Sequence, residues 1–376
     1  MSRRTGQIIR RGDKRWLVRI YTGTDADGKR HYHNKTVHGL KKDAEEWLMK
    51  ALRRIQLGEP LEDSTDTFAA YFSDWLRHRA QQLRRKTIEQ YQTVADYYLL
   101  PAFGKKRLTD ITAEAVQRHY TGLVEQGLSG GTIRLAHSIL SGCLKQALRQ
   151  RKIRRNPLEG VIAPKVTHRK MKALTVEQVQ ALRRTVAEDS FGSLFLFLLA
   201  TGCRPGEALA LRWSDINWQA RTLTIQRSLT WLKSGEYVFT DPKTASGRRT
   251  IPLAEGLHSF LTDHRRTQQE ARMKAGSAWQ HYDLVFCDEA GGPVPQQRTR
   301  SSFKRILAAA GLPQEIRVYD LRHSAASLLM AAGINPKVVS ERLGHANISI
   351  TLQTYSHVSP GLQESASETL EEAIFT

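Results

Sequence analysis

The stretch "RLGHANISITLQTYSHV" occupies residues 342–358. It holds His345 directly after a glycine, a run of small polar and β-branched residues, and then a lone tyrosine, Tyr355. Just upstream, Asn335-Pro336 reads as a helix N-cap followed by proline at the first helical position, and Gly333 and Gly344 read as helix stops. The pattern predicts a helix over 336–343, a turn bearing His345, and a short helix carrying Tyr355. A tyrosine so placed is either a packing aromatic or the group that does the chemistry. The rest of the chain decides between the two.

Working outward, helices are predicted over 300–310 and 320–332. "TLTIQRSLTWL" (222–232) and "EYVFTDPKTASGRRTIPL" (236–253) read as strands around turns. "SLFLFLLATG" (193–202) is nearly all apolar, so it is predicted as a helix central to a core. Thr175 and Gln178 have the spacing of a capping box that opens a helix. The tail "ESASETLEEAIFT" is acidic, and Leu370, Ile374 and Phe375 form a candidate apolar face on it.

At the other end, "KRWLVRIY" (14–21) alternates Trp16, Val18 and Ile20 against Leu17, Arg19 and Tyr21, as a strand does. Asp27-Gly28 is a hairpin signal, and 30–39 reads as the return strand. Ala44, Trp47, Leu48, Ala51, Leu52 and Ile55 then fall on one helical face. Arg10, Arg11, Lys14, Arg15, Arg19, Lys29, Arg30 and Lys35 spread over the exposed positions of this small sheet, which is predicted to dock on DNA. His31, His33 and His38 have no set of cysteines or carboxylates around them, so a zinc site is not expected.

A polar, turn-rich linker follows at 58–67. Four helices come next. "FAAYFSDWL" puts Phe68, Tyr71, Phe72, Trp75 and Leu76 on one face. "TIEQYQTVADYYL" is read as opening with a Thr87–Gln90 capping box. A third helix ends at Gly127. The fourth keeps Ile133, Ala136, Ile139, Leu140, Cys143, Leu144 and Ala147 in register. Arg84, Arg85, Lys86 and Arg134 are DNA-contact candidates here. The expected layout is three domains over 1–58, 66–160 and 173–376. The expected fold class is mostly α with small β-sheets (α+β).

The chain has 376 residues and a net charge of +20, which points to a polyanionic partner, nucleic acid first. The strongest apolar run, "LFLFLLA" at 194–200, is far short of the roughly 20 residues needed to cross a bilayer, so no membrane partner is expected. The basic N-terminus lacks the apolar core of a signal peptide, which predicts a cytoplasmic protein. Cys143, Cys203 and Cys287 are odd in number and far apart, so neither a disulfide framework nor a metal motif is expected.

Four motifs stand in order: "ATGCRPGEALALRW" (200–213), "TDPKTASGRRTIPL" (240–253), "VYDLRHSAASLLMAAG" (318–333) and "LGHANISITLQTYSHV" (343–358). Together they resemble the tyrosine recombinase (phage integrase) family. The segment to about residue 58 is similar to integrase arm-type DNA-binding domains. The segment 67–160 is similar to their helical, SAM-like core-binding domain. The resemblance implies Tyr355 as the nucleophile, Arg204 and Arg322 as a phosphate clamp, Lys243 as general acid, His345 as a phosphate hydrogen-bond donor and Glu207 as the residue that orients the site. Physical chemistry agrees with those residue types. A phenol forms a phosphotyrosine ester that stores the bond energy, so rejoining needs no ATP. Guanidinium forks match phosphate oxygens and stay charged.

The resemblance further implies no metal or nucleotide cofactor, cleavage through a 3′-phosphotyrosine and a Holliday junction, and a homotetramer on double-stranded core and arm attachment sites. An excisionase and a DNA-bending host protein are the expected helpers, with action at the nucleoid. The tail would pack on a neighbouring subunit. One position departs from the family. Tyr319 stands three residues before Arg322, where the family has histidine. A phenol can donate a hydrogen bond to phosphate but cannot shuttle a proton as imidazole does. His323 is read as structural, because neighbouring helix positions point about 100° apart. The alternatives are a DNA-binding regulator without chemistry and a type IB topoisomerase that relaxes supercoils.

Overall fold

The computed structural model describes residues 6–25, 27–57, 61, 64–166, 172–242, 245–355, 367 and 370–374. The chain divides into two units, Met1–His168 and Arg169–Thr376. Among the described residues helices dominate, with three small sheets.

The first unit begins with an antiparallel sheet of β1 (Gly6–Gly12), β2 (Arg15–Thr24) and β3 (Arg30–His38), in the order β1-β2-β3. Asp25 closes the β2–β3 turn by accepting from the backbone N–H groups of Asp27 and Lys29. One face packs on α1 (Lys41–Gln56), burying Val18 and Ile20 against Ala44 and Ala51. All eight basic candidates of this segment are exposed. The strand register separates them, however. Arg10 pairs with Trp16 and Lys35 with Val18, so both share the helix-facing side, while Arg15 and Arg19 share the open one. There the Arg19 guanidinium stacks 4.0 Å over the Tyr32 ring.

A helical cluster follows: α2 (Phe68–Ala80), α3 (Arg85–Val94), α4 (Leu100–Phe103), α5 (Ala113–Glu125) and α6 (Gly130–Arg149). Thr67, Thr112 and Ser129 cap α2, α5 and α6 through their hydroxyls. Every α6 residue expected in register is buried. The Thr87 capping box is a misreading. Arg84 is the extended residue before α3, and the Thr87 N–H donates to its carbonyl, so Thr87 already lies inside the first turn. A π-helical turn, Ala95–Leu99, interrupts the helix between α3 and α4. Arg84, Arg85, Lys86 and Arg134 are all exposed.

The second unit opens with α7 (Val176–Thr185), whose Thr175–Gln178 capping box forms as expected. Next come α8 (Gly192–Thr201) and the single turn α9 (Pro205–Ala208). β4 (Ile216–Asn217), β5 (Thr222–Ile225) and β8 (Arg249–Pro252) form one sheet, and β6 (Ser228–Trp231) pairs with β7 (Tyr237–Thr240). Helices α10 (Glu255–Ala275), α11 (Gln296–Ala309), α12 (Asp320–Ala331), α13 (Pro336–Leu343) and α14 (Ile348–Tyr355) complete it. The apolar α8 sits in the core, where Phe195 meets Phe303 and Phe197 meets Phe286. Lys243 and Phe375 lie outside the described residues, and the tail's Leu370 and Ile374 are exposed.

Candidate active site

Two left-handed glycines set the frame. Gly202 (φ +68) ends α8 and reverses the chain so that Arg204 can precede α9, while Gly344 (φ +67) ends α13 and presents His345. A side chain at Gly344 would stand 2.8 Å from the Ser246 carbonyl, so the two segments touch there as bare backbone.

Arg204 binds Glu207 twice. Its Nη1 donates to Oε1 at 2.7 Å, and its backbone N–H donates to Oε2 at 3.0 Å. Its Nη2 donates to the Gly344 carbonyl at 3.2 Å. Glu207 is buried and also accepts from Arg249 Nη2 at 2.8 Å. Burial pushes the Glu207 carboxyl up, but Arg249 and then Arg204 outweigh it, and the net shift is downward. The carboxylate is therefore an anion at neutral pH. Arg249 in turn donates from Nε to the Arg342 carbonyl at 2.6 Å. Two arginines thus hold the carbonyls of residues 342 and 344 and fix the turn that carries His345.

Arg322 lies on α12 and is 1% exposed. Its Nη1 donates to the Gly202 carbonyl at 2.8 Å, and its Nη2 has no hydrogen-bond partner among the described residues. Burial first, then the charge of Arg204, pulls its pKa down to about 10, so it remains a cation at pH 7. Arg204, Arg249 and Arg322 together face one carboxylate, Glu207. A buried charged donor without a partner costs at least about 1–3 kcal/mol, which an incoming anion would relieve. Tyr319, the residue before α12, is exposed, and its hydroxyl lies against the Arg204 guanidinium.

His345 Nδ1 is 2.8 Å from the Thr351 hydroxyl. Burial, then Arg322 and Arg204, lower its pKa to about 4, so the imidazole is neutral at pH 7. Tyr355 ends α14 and is buried among Ala326, Met330, Val339 and Leu343. Its Oη lies 2.6 Å from His323 Nδ1. Burial raises its pKa to about 12, against the pull of Arg322.

The structure therefore gathers Arg204, Glu207, Tyr319, Arg322, His345 and Tyr355 into the second unit, on neighbouring elements. The geometry brings in two more residues: His323, which the sequence reading took as structural, and Arg249, which it did not single out. His323 does diverge from Arg322, as helical spacing requires, and that divergence aims it at Tyr355. It is also one turn after Tyr319, with ring centroids 5.3 Å apart, and that i, i+4 spacing was a readable signal. Arg249 lies two and four residues before the inward-facing Ile251 and Leu253, so strand alternation marks it as inward.

Residues 172–361 match the phage integrase family, and residues 67–124 match the N-terminal SAM-like domain of phage integrases. The chain belongs to the phage integrase family. Members of this family are enzymes that break and rejoin DNA. A tyrosine recombinase XerC-like protein of Caldanaerobacter subterraneus subsp. tengcongensis is 28% identical over 395 residues, covering 99% of this integrase-family chain and 99% of the relative. The integrase of transposon Tn1549, solved with a circular intermediate DNA, matches the fold with a TM-score of 0.68. It is 22% identical, over 81% of this chain and 99% of that one. A lambda integrase tetramer bound to a Holliday junction matches with a TM-score of 0.58 at 17% identity, over 93% and 94% of the two chains.

Proposed function

We propose that this integrase-family enzyme is a site-specific recombinase that integrates or excises a phage or mobile element, with Tyr355 as its nucleophile. The Tyr355 oxygen attacks the scissile phosphate, forms a 3′-phosphotyrosine and releases a 5′-hydroxyl. Attack by a second strand's 5′-hydroxyl reverses the chemistry and yields a Holliday junction. The observation that carries this reading is the unpartnered Nη2 of buried Arg322, a built-in demand for an anion.

Arg322 and Arg204 clamp the non-bridging oxygens, where charge grows in the transition state. Glu207 holds Arg204 in place. With Nδ1 accepting from Thr351, neutral His345 offers Nε2–H to phosphate. Tyr319 donates from its hydroxyl. Lys243 protonates the leaving 5′-oxygen, a role supported by its place in the sequence between β7 and β8.

Residues 1–58 serve as the arm-site module, with Arg10, Arg11, Lys14, Arg15, Arg19, Lys29, Arg30 and Lys35 on DNA. Residues 66–160 grip the core site through Arg84, Arg85, Lys86 and Arg134. Residues 173–376 cut. The working assembly is a homotetramer on two duplexes in the cytoplasm, at the nucleoid, with an excisionase and a DNA-bending host protein as helpers. No metal or nucleotide takes part.

The test is a nicked suicide substrate carrying the core site, run with wild type and Tyr355→Phe without added metal. A covalent protein–DNA adduct on a denaturing gel from wild type only supports the reading. An adduct that persists in the Phe variant moves the nucleophile elsewhere.

A further inference from the structure

The phenol of Tyr355 must lose a proton as its oxygen bonds to phosphorus. With a pKa near 12, its ionised fraction at pH 7 is on the order of 10⁻⁵. A base is needed, and residue 319 is a tyrosine, which has no basic atom suited to the task at pH 7.

His323 does have one. Its Nδ1 lies 2.6 Å from Tyr355 Oη, within reach for direct proton transfer. Its ring stands between two phenols, 5.3 Å from the Tyr319 ring and 5.9 Å from the Tyr355 ring. A groove of about 460 Å³ reaches both His323 and Tyr355 and is also lined by Thr175, Glu177 and Ser327. It connects the imidazole to the surface.

We infer that His323 accepts the Tyr355 proton during cleavage and returns it on rejoining, a catalytic role displaced by one helical turn from the position of Tyr319. The inference rests on Tyr355 being the nucleophile. In the step, the Oη–H bond breaks, its proton moves to His323 Nδ1, and an oxygen electron pair forms the Oη–P bond. The P–O5′ bond breaks and its electrons leave on O5′, which takes a separate proton from the general acid. Rejoining runs each transfer backwards.

The surroundings keep the imidazole neutral. Asp320 and Arg322 lie beside it on α12, Tyr319 and Arg317 precede the helix, Tyr355 and His345 come from the segment after α13, and Glu177 from α7 lines the groove. Burial lowers the His323 pKa; Asp320 opposes this, and Arg322 and Arg317 reinforce it. An acceptor with a lowered pKa stays unprotonated to more acid pH than a free imidazole.

The experiment measures single-turnover cleavage by wild type, His323→Gln, His323→Ala and Tyr355→Phe from about pH 5.5 to about pH 10. Each is run on the normal substrate and on one whose leaving 5′-oxygen is replaced by sulfur, which needs no general acid. Thermal midpoint and DNA gel shift establish that each variant folds. His323→Gln should cleave about 10²-fold slower at pH 7, with the defect shrinking as pH rises toward the phenol pKa and no rescue by sulfur. Free imidazole should restore part of the His323→Ala rate. Wild type should keep its acidic limb on the sulfur substrate, a result that stands even if the variants unfold. The inference is overturned if His323→Gln cleaves within about threefold of wild type with the same pH profile, if sulfur rescues it, or if the wild-type acidic limb vanishes with sulfur. If Tyr355→Phe still forms an adduct, the nucleophile reading has failed instead.

Discussion

One carboxylate, Glu207, joins Arg204 to Arg249, at 2.7 Å and 2.8 Å from its two oxygens. Through those arginines it reaches the carbonyls of Gly344 and Arg342 on either side of Leu343. Glu207→Gln would leave two close guanidinium groups uncompensated. The Arg249–Glu207 pair is 6% and 3% exposed, so its loss should cost about 3 kcal/mol of stability, read from the denaturant midpoint. Cleavage should fall about 10²-fold even under conditions where the variant is folded.

Gly344 combines φ +67 with the close Ser246 carbonyl. Gly344→Ala should cost about 1–3 kcal/mol and slow cleavage by shifting His345. A variant with unchanged melting and unchanged rate would mean that this turn does not position the histidine.

Tyr319→Phe removes one hydroxyl beside Arg204. The rate of adduct formation should drop about tenfold, while affinity for the core site changes little. Normal cleavage by the variant would show that Tyr319 does not donate to phosphate.

Acid should weaken the second unit before its carboxylates titrate. The His345 pKa is lowered to about 4 in the folded chain, against 6.5 for a free histidine side chain. Between those values the unfolded chain binds more protons than the folded one, so stability rises with pH there. His345 contributes fully above pH 6.5, and its share, about 3 kcal/mol, is lost as pH falls toward 4. In His345→Asn, the melting temperature should depend less on pH across that window.

Affinity for non-specific DNA should fall steeply with salt, because a chain of charge +20 releases counterions on binding. A log–log slope of about −5 or steeper is expected from titrations in rising KCl. A flat dependence would remove the electrostatic account of how the protein finds DNA.

Much of this was legible in the sequence because local signals were strong. Asn335-Pro336 opens α13 and Gly344 closes it, and the apolar α8 is central. The long α10 escaped notice because its apolar stripe, Leu257, Phe260 and Leu261, is confined to its first two turns and the rest of its length is polar and charged. Thr87 misled because its hydroxyl had the spacing of a cap while the chain turned extended at Arg84 instead. At the site, residue types gave the cast but not the contacts. His323 shares α12 with Arg322, and only folding shows that one reaches Gly202 and the other Tyr355.

The open donor on Arg322 gives the DNA-free molecule a characteristic weakness. A protein that keeps a cation underground without its counterpart is tuned by whatever ions surround it. Sulfate or heparin that reaches that guanidinium should raise the melting temperature, and at a hundredfold excess over its Kd an anion adds about 2.7 kcal/mol. The attachment site therefore acts on its enzyme as a stabilising cofactor would. Long-lived protein should be found on DNA, and protein off DNA should be the form that unfolds first.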